Sequence, residues 1–151
     1  NKLHTVDQLV DEIRIPDHLI DDPALRELYG QVDWSVRAIY SGELGWFDGR
    51  HERLYPPKNT VRREVEMMGG AEAVLQAARG AHLEGDGRWA AHLLGKLRDS
   101  GMYEAGELDA EMAGVLRSVG ETVPNSNGRA YILQAAHQLV LFVLFAHVGF
   151  L

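Results

Sequence analysis

Apolar residues recur at helical spacing through most of the chain, broken by short polar or glycine-rich stretches. Val6, Leu9, Val10 and Ile13 share one helical face, and Thr5 followed by Gln8 has the form of a capping box. Pro16 ends that helix. Asp22-Pro23 offers an N-cap and a first-turn proline for a second helix carrying Leu25, Leu28, Tyr29, Val32, Val36, Ile39 and Tyr40. Gly30 either interrupts or bends this helix, which is expected to end near Ser41-Gly42. Residues 42–59 form the longest segment without helical pattern, a Gly/Pro-rich arm with a turn at Asp48-Gly49 and extended chain at Pro56-Pro57. Asn59 or Thr60 caps the next helix, with Val61, Val65 and Met68 on one face and Gly69-Gly70 as its stop.

The remainder reads as two helical hairpins. Ala71–Glu84 pairs with Arg88–Arg98 across the tight turn Gly85-Asp86-Gly87, so that Val74, Leu75, Ala78 and Ala81 face Trp89, Ala90, Leu93, Leu94 and Leu97. Leu108, Met112, Val115, Leu116 and Val119 make a second stripe, and Ile132, Ala135, Ala136 and Leu139 its partner from Arg129 onward. The hairpin spacing is near that of tetratricopeptide-type arrays, and two hairpins need the opening helices as caps. No strand pattern of any length appears. The expected fold is a single all-α domain over residues 1–151, with helical hairpins in tetratricopeptide-like packing, preceded by capping helices and the Gly/Pro-rich arm.

Charge and composition narrow the function classes. The formal net charge is −7 and basic residues do not cluster beyond Arg62-Arg63, which argues against a nucleic-acid partner. The absence of cysteine removes disulfides, thiolate zinc sites and cysteine nucleophiles. It does not fix the compartment; the reading leans to the cytoplasm, with periplasm and secretion open. Residues 139–151, LVLFVLFAHVGFL, are almost wholly apolar, but thirteen residues fall short of the roughly 20 of a spanning helix. The expectation is a buried or partner-covered C-terminal extension over 140–151, not a membrane segment.

The search for chemistry returns little. Seven histidines (His4, His18, His51, His82, His92, His137 and His147) make neither HxH nor HExxH spacing, although His82 and His92 sit on adjacent predicted helices. Asp22 is explained as a cap, and Glu64 with Glu66 as a solvated helix face. The serines lack a nucleophile elbow, and no glycine-rich loop follows a strand. No residue is assigned as catalytic or as a metal ligand, and no cofactor is expected in this chain.

The segment VDWSVRAIYSGELGWFDG, residues 32–49, resembles the alkyl sulfatase dimerisation domain, the helical domain that follows the metallo-β-lactamase-like catalytic domain of bacterial alkyl sulfatases. The resemblance continues through VEMMGGAEAVLQAAR at 65–79, GDGRWAAHLLGKL at 85–97 and NGRAYILQAAHQL at 127–139, and covers about residues 5–139. It implies a homodimer beside a catalytic domain that binds two zinc ions through an HxHxDH motif. No HxHxDH occurs here, so none of the family's catalytic or zinc-binding residues carries over. The chain is thus expected to be a non-catalytic assembly module, either part of a larger zinc-dependent sulfatase or an orphan relative. The resemblance makes Trp34, Arg37, Tyr40, Trp46 and Phe47 candidates for a dimer interface or a substrate entrance.

For Trp46 and Phe47 three roles stand open: filling this domain's own core, forming an interdigitating arm, or touching substrate at an entrance. Arg37 is read either as a structural ion pair or as facing a sulfate. Two other functions compete. One is a freestanding helical enzyme or ligand-binding protein with a pocket lined by Trp34, Trp46, Phe47 and Trp89. The other is a tetratricopeptide-like adaptor with an open groove between its hairpins.

Overall fold

A computed structural model describes residues 4–103 and 105–147, with side chains through Leu141 except that of Ala105. The described residues hold seven α-helices and no strand: α1 (Val6–Glu12), α2 (Val32–Leu44), α3 (Thr60–Met67), α4 (Ala71–Leu83), α5 (Gly87–Ser100), α6 (Ala105–Thr122) and α7 (Ser126–His147). They group into two compact units. The first takes the chain up to Pro56 together with Pro124–Asn127; the second takes Pro57–Val123 and the chain from Gly128.

In the first unit α1 lies against α2. The capping box is present as expected: Thr5 Oγ1 accepts from the Gln8 N–H, and Gln8 Oε1 accepts from the Thr5 N–H at 2.8 Å. The expected long helix from Pro23 is broken. Asp22 caps only a single 3₁₀ turn, Pro23–Leu25, and α2 starts at Val32. The reason lies 98 residues away in sequence. Asn125 Nδ2 donates to the carbonyls of Glu27 (2.9 Å) and Gly30 (3.2 Å), the Ser126 N–H to Leu28 (2.6 Å), and Asn127 Nδ2 to Tyr29 (2.9 Å). Four consecutive carbonyls are thereby satisfied by donors of residues 125–127, at the start of α7, and Asn125 is 0% exposed. Glu27 Oε1 then accepts from the Val32 N–H at 2.6 Å, meeting one of the donors that open α2. α2 also runs past the expected stop at Gly42. It ends where Gly45 adopts φ +79, a conformation that strains residues with a Cβ.

The second unit contains the hydrophobic core. Val74, Leu75, Ala78 and Ala81 of α4 pack with Ala90, Leu93, Leu94 and Leu97 of α5, and the same cluster takes in Val65 of α3 and Leu108, Val115 and Val119 of α6. α3 and α4 both pack on α5, whose other neighbour is α6. The α4–α5 pair is the first of the two predicted hairpins, and the packing is compatible with a tetratricopeptide-like arrangement. Trp89 is the exception: it is half exposed and stacks on His92 with ring centroids 5.2 Å apart. On α7, Ala136 and Leu139 are buried and Ile132 packs against the core from its edge. Most of the apolar extension expected over 140–151 falls outside the described side chains. Among the described residues no helix is long and apolar enough to cross a membrane.

Two devices bring α6 and α7 together. Arg129 donates through Nε to the Gly120 carbonyl (3.2 Å) and through Nη2 to that of Glu121 (3.0 Å), a cation at a helix C-terminus. Gly120 has no room for a side chain: a Cβ there would sit 2.6 Å from Leu133 Cδ2. On the same helix, a Cβ at Gly114 would meet nothing within 4 Å. Gly120→Val is therefore expected to cost about 2–3 kcal/mol by overpacking. Gly114→Ala should instead gain up to about 1 kcal/mol from helix propensity. Chemical denaturation of the two variants reads both signs.

Arg79 of α4 holds Glu111 of α6 in a two-pronged pair, with Nε and Nη2 at 3.0 and 2.9 Å from the two carboxylate oxygens. The hydrogen bonds from Arg79 keep the Glu111 carboxyl below the usual carboxylate range. Because the folded value is depressed, this stabilisation is full above the unfolded value and is lost as pH falls through the folded one. Glu111→Gln is expected to lower the thermal midpoint at neutral pH, and the gap to wild type should close below the usual carboxylate range.

Candidate functional site

The first unit leaves most of its large apolar side chains uncovered. Val36, on the face of α2 towards α1, is its one buried apolar residue among those described. Around it runs an open groove of about 900 Å3 formed by α1, the turns at residues 16–25 and α2. Its walls are mainly apolar, among them Leu9, Ile13, Leu25, Ile39 and Leu44. Ile39 and Leu44 remain 65% and 67% exposed. The spacing Val32, Val36, Ile39/Tyr40, Leu44 is an amphipathic stripe that its own unit covers at Val36 and leaves exposed at Ile39 and Leu44.

Beyond α2 the chain turns at Gly45 into a loop organised by one carboxylate. The Asp48 side chain is only 3% exposed. Arg53 Nη1 approaches its Oδ2 at 2.6 Å and Arg50 Nε at 3.6 Å. Both are ion pairs by distance, while neither is directed as a hydrogen bond at that oxygen. The other oxygen accepts from the Arg50 N–H at 3.3 Å. Gly49 takes φ +84, which lets the chain fold back over the carboxylate. Sequence reading saw Asp48-Gly49 as a turn and missed the acid as its centre. The signal available was an aspartate followed two and five residues later by arginines.

Around this hub the large side chains point outward. Trp46 is 72% exposed and Tyr55 91%. Phe47 meets the Trp46 ring, centroids 5.5 Å apart at 59°, the tilted geometry aromatic pairs favour. Arg37 Nη1 pairs with Asp7 Oδ1 at 2.9 Å, joining α2 to α1. Tyr40 lines the groove, and Trp34 is exposed on another face of α2. Of the five candidates, then, Trp46 and Phe47 touch each other, Tyr40 belongs to the groove and Arg37 to an ion pair. Trp34, Trp46, Phe47 and Trp89 do not line the groove together.

Among the described residues no catalytic constellation emerges. His82 Nε2 lies 3.0 Å from Ser118 Oγ, but that hydroxyl donates to the Gly114 carbonyl at 3.2 Å. The Ser118 hydroxyl is thus shared between His82 and the carbonyl one turn back on its own helix. His92 stacks on Trp89, so each of the two histidines has its own partner. Among the described residues no three His, Cys, Asp or Glu side chains could hold a metal ion. Between α5, α6 and α7 a cleft of about 310 Å3, lined by Met112, Leu116 and Ala135 among others, is the nearest approach to an adaptor groove.

Similarity to known proteins points the same way. The profile of a family described as alkyl sulfatase dimerisation matches residues 5–140. The chain is 42% identical over 144 residues to a linear primary-alkylsulfatase of a Pseudomonas sp. strain, covering 92% of this chain and 27% of that protein. It is 32% identical over 143 residues to an alkyl/aryl-sulfatase of Saccharomyces cerevisiae, covering 92% and 22%. The solved structure of the stereoselective inverting sec-alkylsulfatase Pisa1 from Pseudomonas sp. is similar at a TM-score of 0.79 and 32% identity, over 92% of this chain and 22% of that one. The chain thus spans about a quarter of the length of these relatives.

Asp48→Ala is expected to leave Arg53 without its partner and to loosen residues 46–55. Hydrogen exchange should show faster amides there, with protection in α4 and α5 unchanged.

Proposed function

The chain belongs to the alkyl sulfatase dimerisation family, and from that premise we propose that it is a non-catalytic homodimerisation module of an alkyl sulfatase-type hydrolase. The observation that carries this reading is the apolar surface of the first unit. A monomer rarely exposes so many large apolar side chains on one unit unless something covers them. Here the same unit carries an apolar groove and a loop whose exposed aromatic side chains flank a buried ion-pair hub. Aromatic anchors on a pre-organised loop are what association interfaces use, because little ordering remains to be done on binding.

The full-length relatives are named as alkylsulfatases, and we infer the same parent here: a chain whose catalytic domain hydrolyses sulfate esters with the help of two zinc ions. Among the described residues no three side chains form a donor set for those ions, and no step of ester cleavage is assigned to them. Its share is to hold two catalytic domains in one assembly, and both units act together in that role. Tyr40 and the groove, with Trp34 and Arg37 on the same helix, then belong to the assembly surface.

Light scattering on wild type and on Trp46→Ala/Phe47→Ala tests the reading. Wild type is expected at twice the chain mass at micromolar concentration. Truncating both rings should weaken the dimer by at least about tenfold while leaving helicity unchanged, as loss of anchor residues does. A wild-type monomer would overturn the reading.

A further inference from the structure

We propose that in this homodimer the aromatic loop of each copy seats in the apolar groove of its twin, so that two identical loop-in-groove contacts close the assembly. The inference rests on the homodimer reading above and adds which surface meets which.

Three observations carry it. First, the groove and the loop lie on the same unit, and each is uncovered. Ile39 and Leu44 line the groove while more than half exposed, and on the loop Trp46 is 72% and Tyr55 91% exposed. Trp46, Phe47 and Tyr55 are not among the residues lining the groove of their own copy. A twofold axis converts this mismatch into a fit, because a self-complementary pair of surfaces is satisfied by one rotation and leaves no open end.

Second, the sizes correspond. The groove offers about 900 Å3, ample for a pair of aromatic side chains. An aromatic side chain buries roughly 150–250 Å2, so two from each copy supply roughly 600–1,000 Å2. A stable interface buries roughly 1,600 Å2 in total, and the groove walls covered by the same rings contribute the remainder.

Third, the loop is built to be inserted. The Asp48 carboxylate, buried between Arg50 and Arg53, fixes the backbone from which Trp46 and Tyr55 project. A loop meant to fill its own core would turn these rings inward instead. Asp48 keeps both arginine partners within the loop, so insertion does not strip that carboxylate of its counter-charge.

A benzophenone amino acid placed at position 46, and in a separate sample at position 55, keeps an aromatic ring at the tip of the loop. Heavy- and light-isotope chains are mixed, irradiated and mapped by mass spectrometry, so that adducts between copies are distinguished from those within one. The expected adducts join heavy to light chains at groove residues such as Ile13, Leu25, Ile39 or Leu44. In parallel, Ile39→Asp, a surface change on α2, is expected to weaken the dimer at least tenfold with helicity retained. Adducts between two loops, on α3 to α7, or within one copy would overturn the inference. So would the absence of inter-copy adducts in a sample that scatters as a dimer, or an Ile39→Asp dimer of wild-type strength. In those cases the dimer itself stands. A wild-type sample that scatters as a monomer brings down both.

Discussion

In the stretch up to Pro56, Val36 is the one apolar side chain that this chain itself buries among the described residues. Everything else about the module follows from that shortfall. Ordering a segment costs about 1–2 kcal/mol per residue in backbone entropy, and apolar burial is the main term that offsets it. The second unit meets this condition with a continuous core drawn from α3, α4, α5 and α6. The first cannot meet it alone, because Ile13, Leu25, Ile39 and Leu44 line an open groove instead of a closed interior.

What fixes the first unit is a set of directional polar contacts. Asn125 occupies a fully buried position and gives its amide protons to two carbonyls of the 27–30 segment, with Ser126 and Asn127 serving the two between them. Asp48 does for the loop what Asn125 does for that segment. Arg37 with Asp7 joins α1 to α2 on the surface, where such a pair adds little energy but fixes an orientation. Contacts of this kind define shape more than they add net stability, since each replaces bonds to water. The apolar side chains are thereby left for a second surface to cover.

The sequence was most readable where local pattern and tertiary role agree. The helices of the second unit follow from apolar residues every three or four positions and from Gly69, Gly70 and Gly85, all at positive φ. The capping box at Thr5 is a purely local motif and appears as expected. The break at Gly30 was not decidable from nearby residues, because the donors that occupy its carbonyls come from 125–127. Asn125 itself sits in a polar stretch, PNSN, that reads as an ordinary helix link; only the fold shows its amide to be buried. Likewise the WFDG signature identified the family and drew attention to its aromatics, while the residue that organises the loop is the aspartate beside them.

The contrast between the two units bears on how a parent enzyme would assemble. A unit with a saturated core keeps its order at any concentration. A unit whose apolar residues await a partner gains stability only as that partner binds, so its order rises with concentration by mass action. In the proposed dimer the loop and groove of the first unit would be completed at the moment of association, and the second unit would need nothing from the twin to hold its own helices. Association would then be coupled to local order in the first unit without requiring the scaffold to refold. That division suits a module whose role is assembly: one part persists, and the other becomes complete only when a second copy is present.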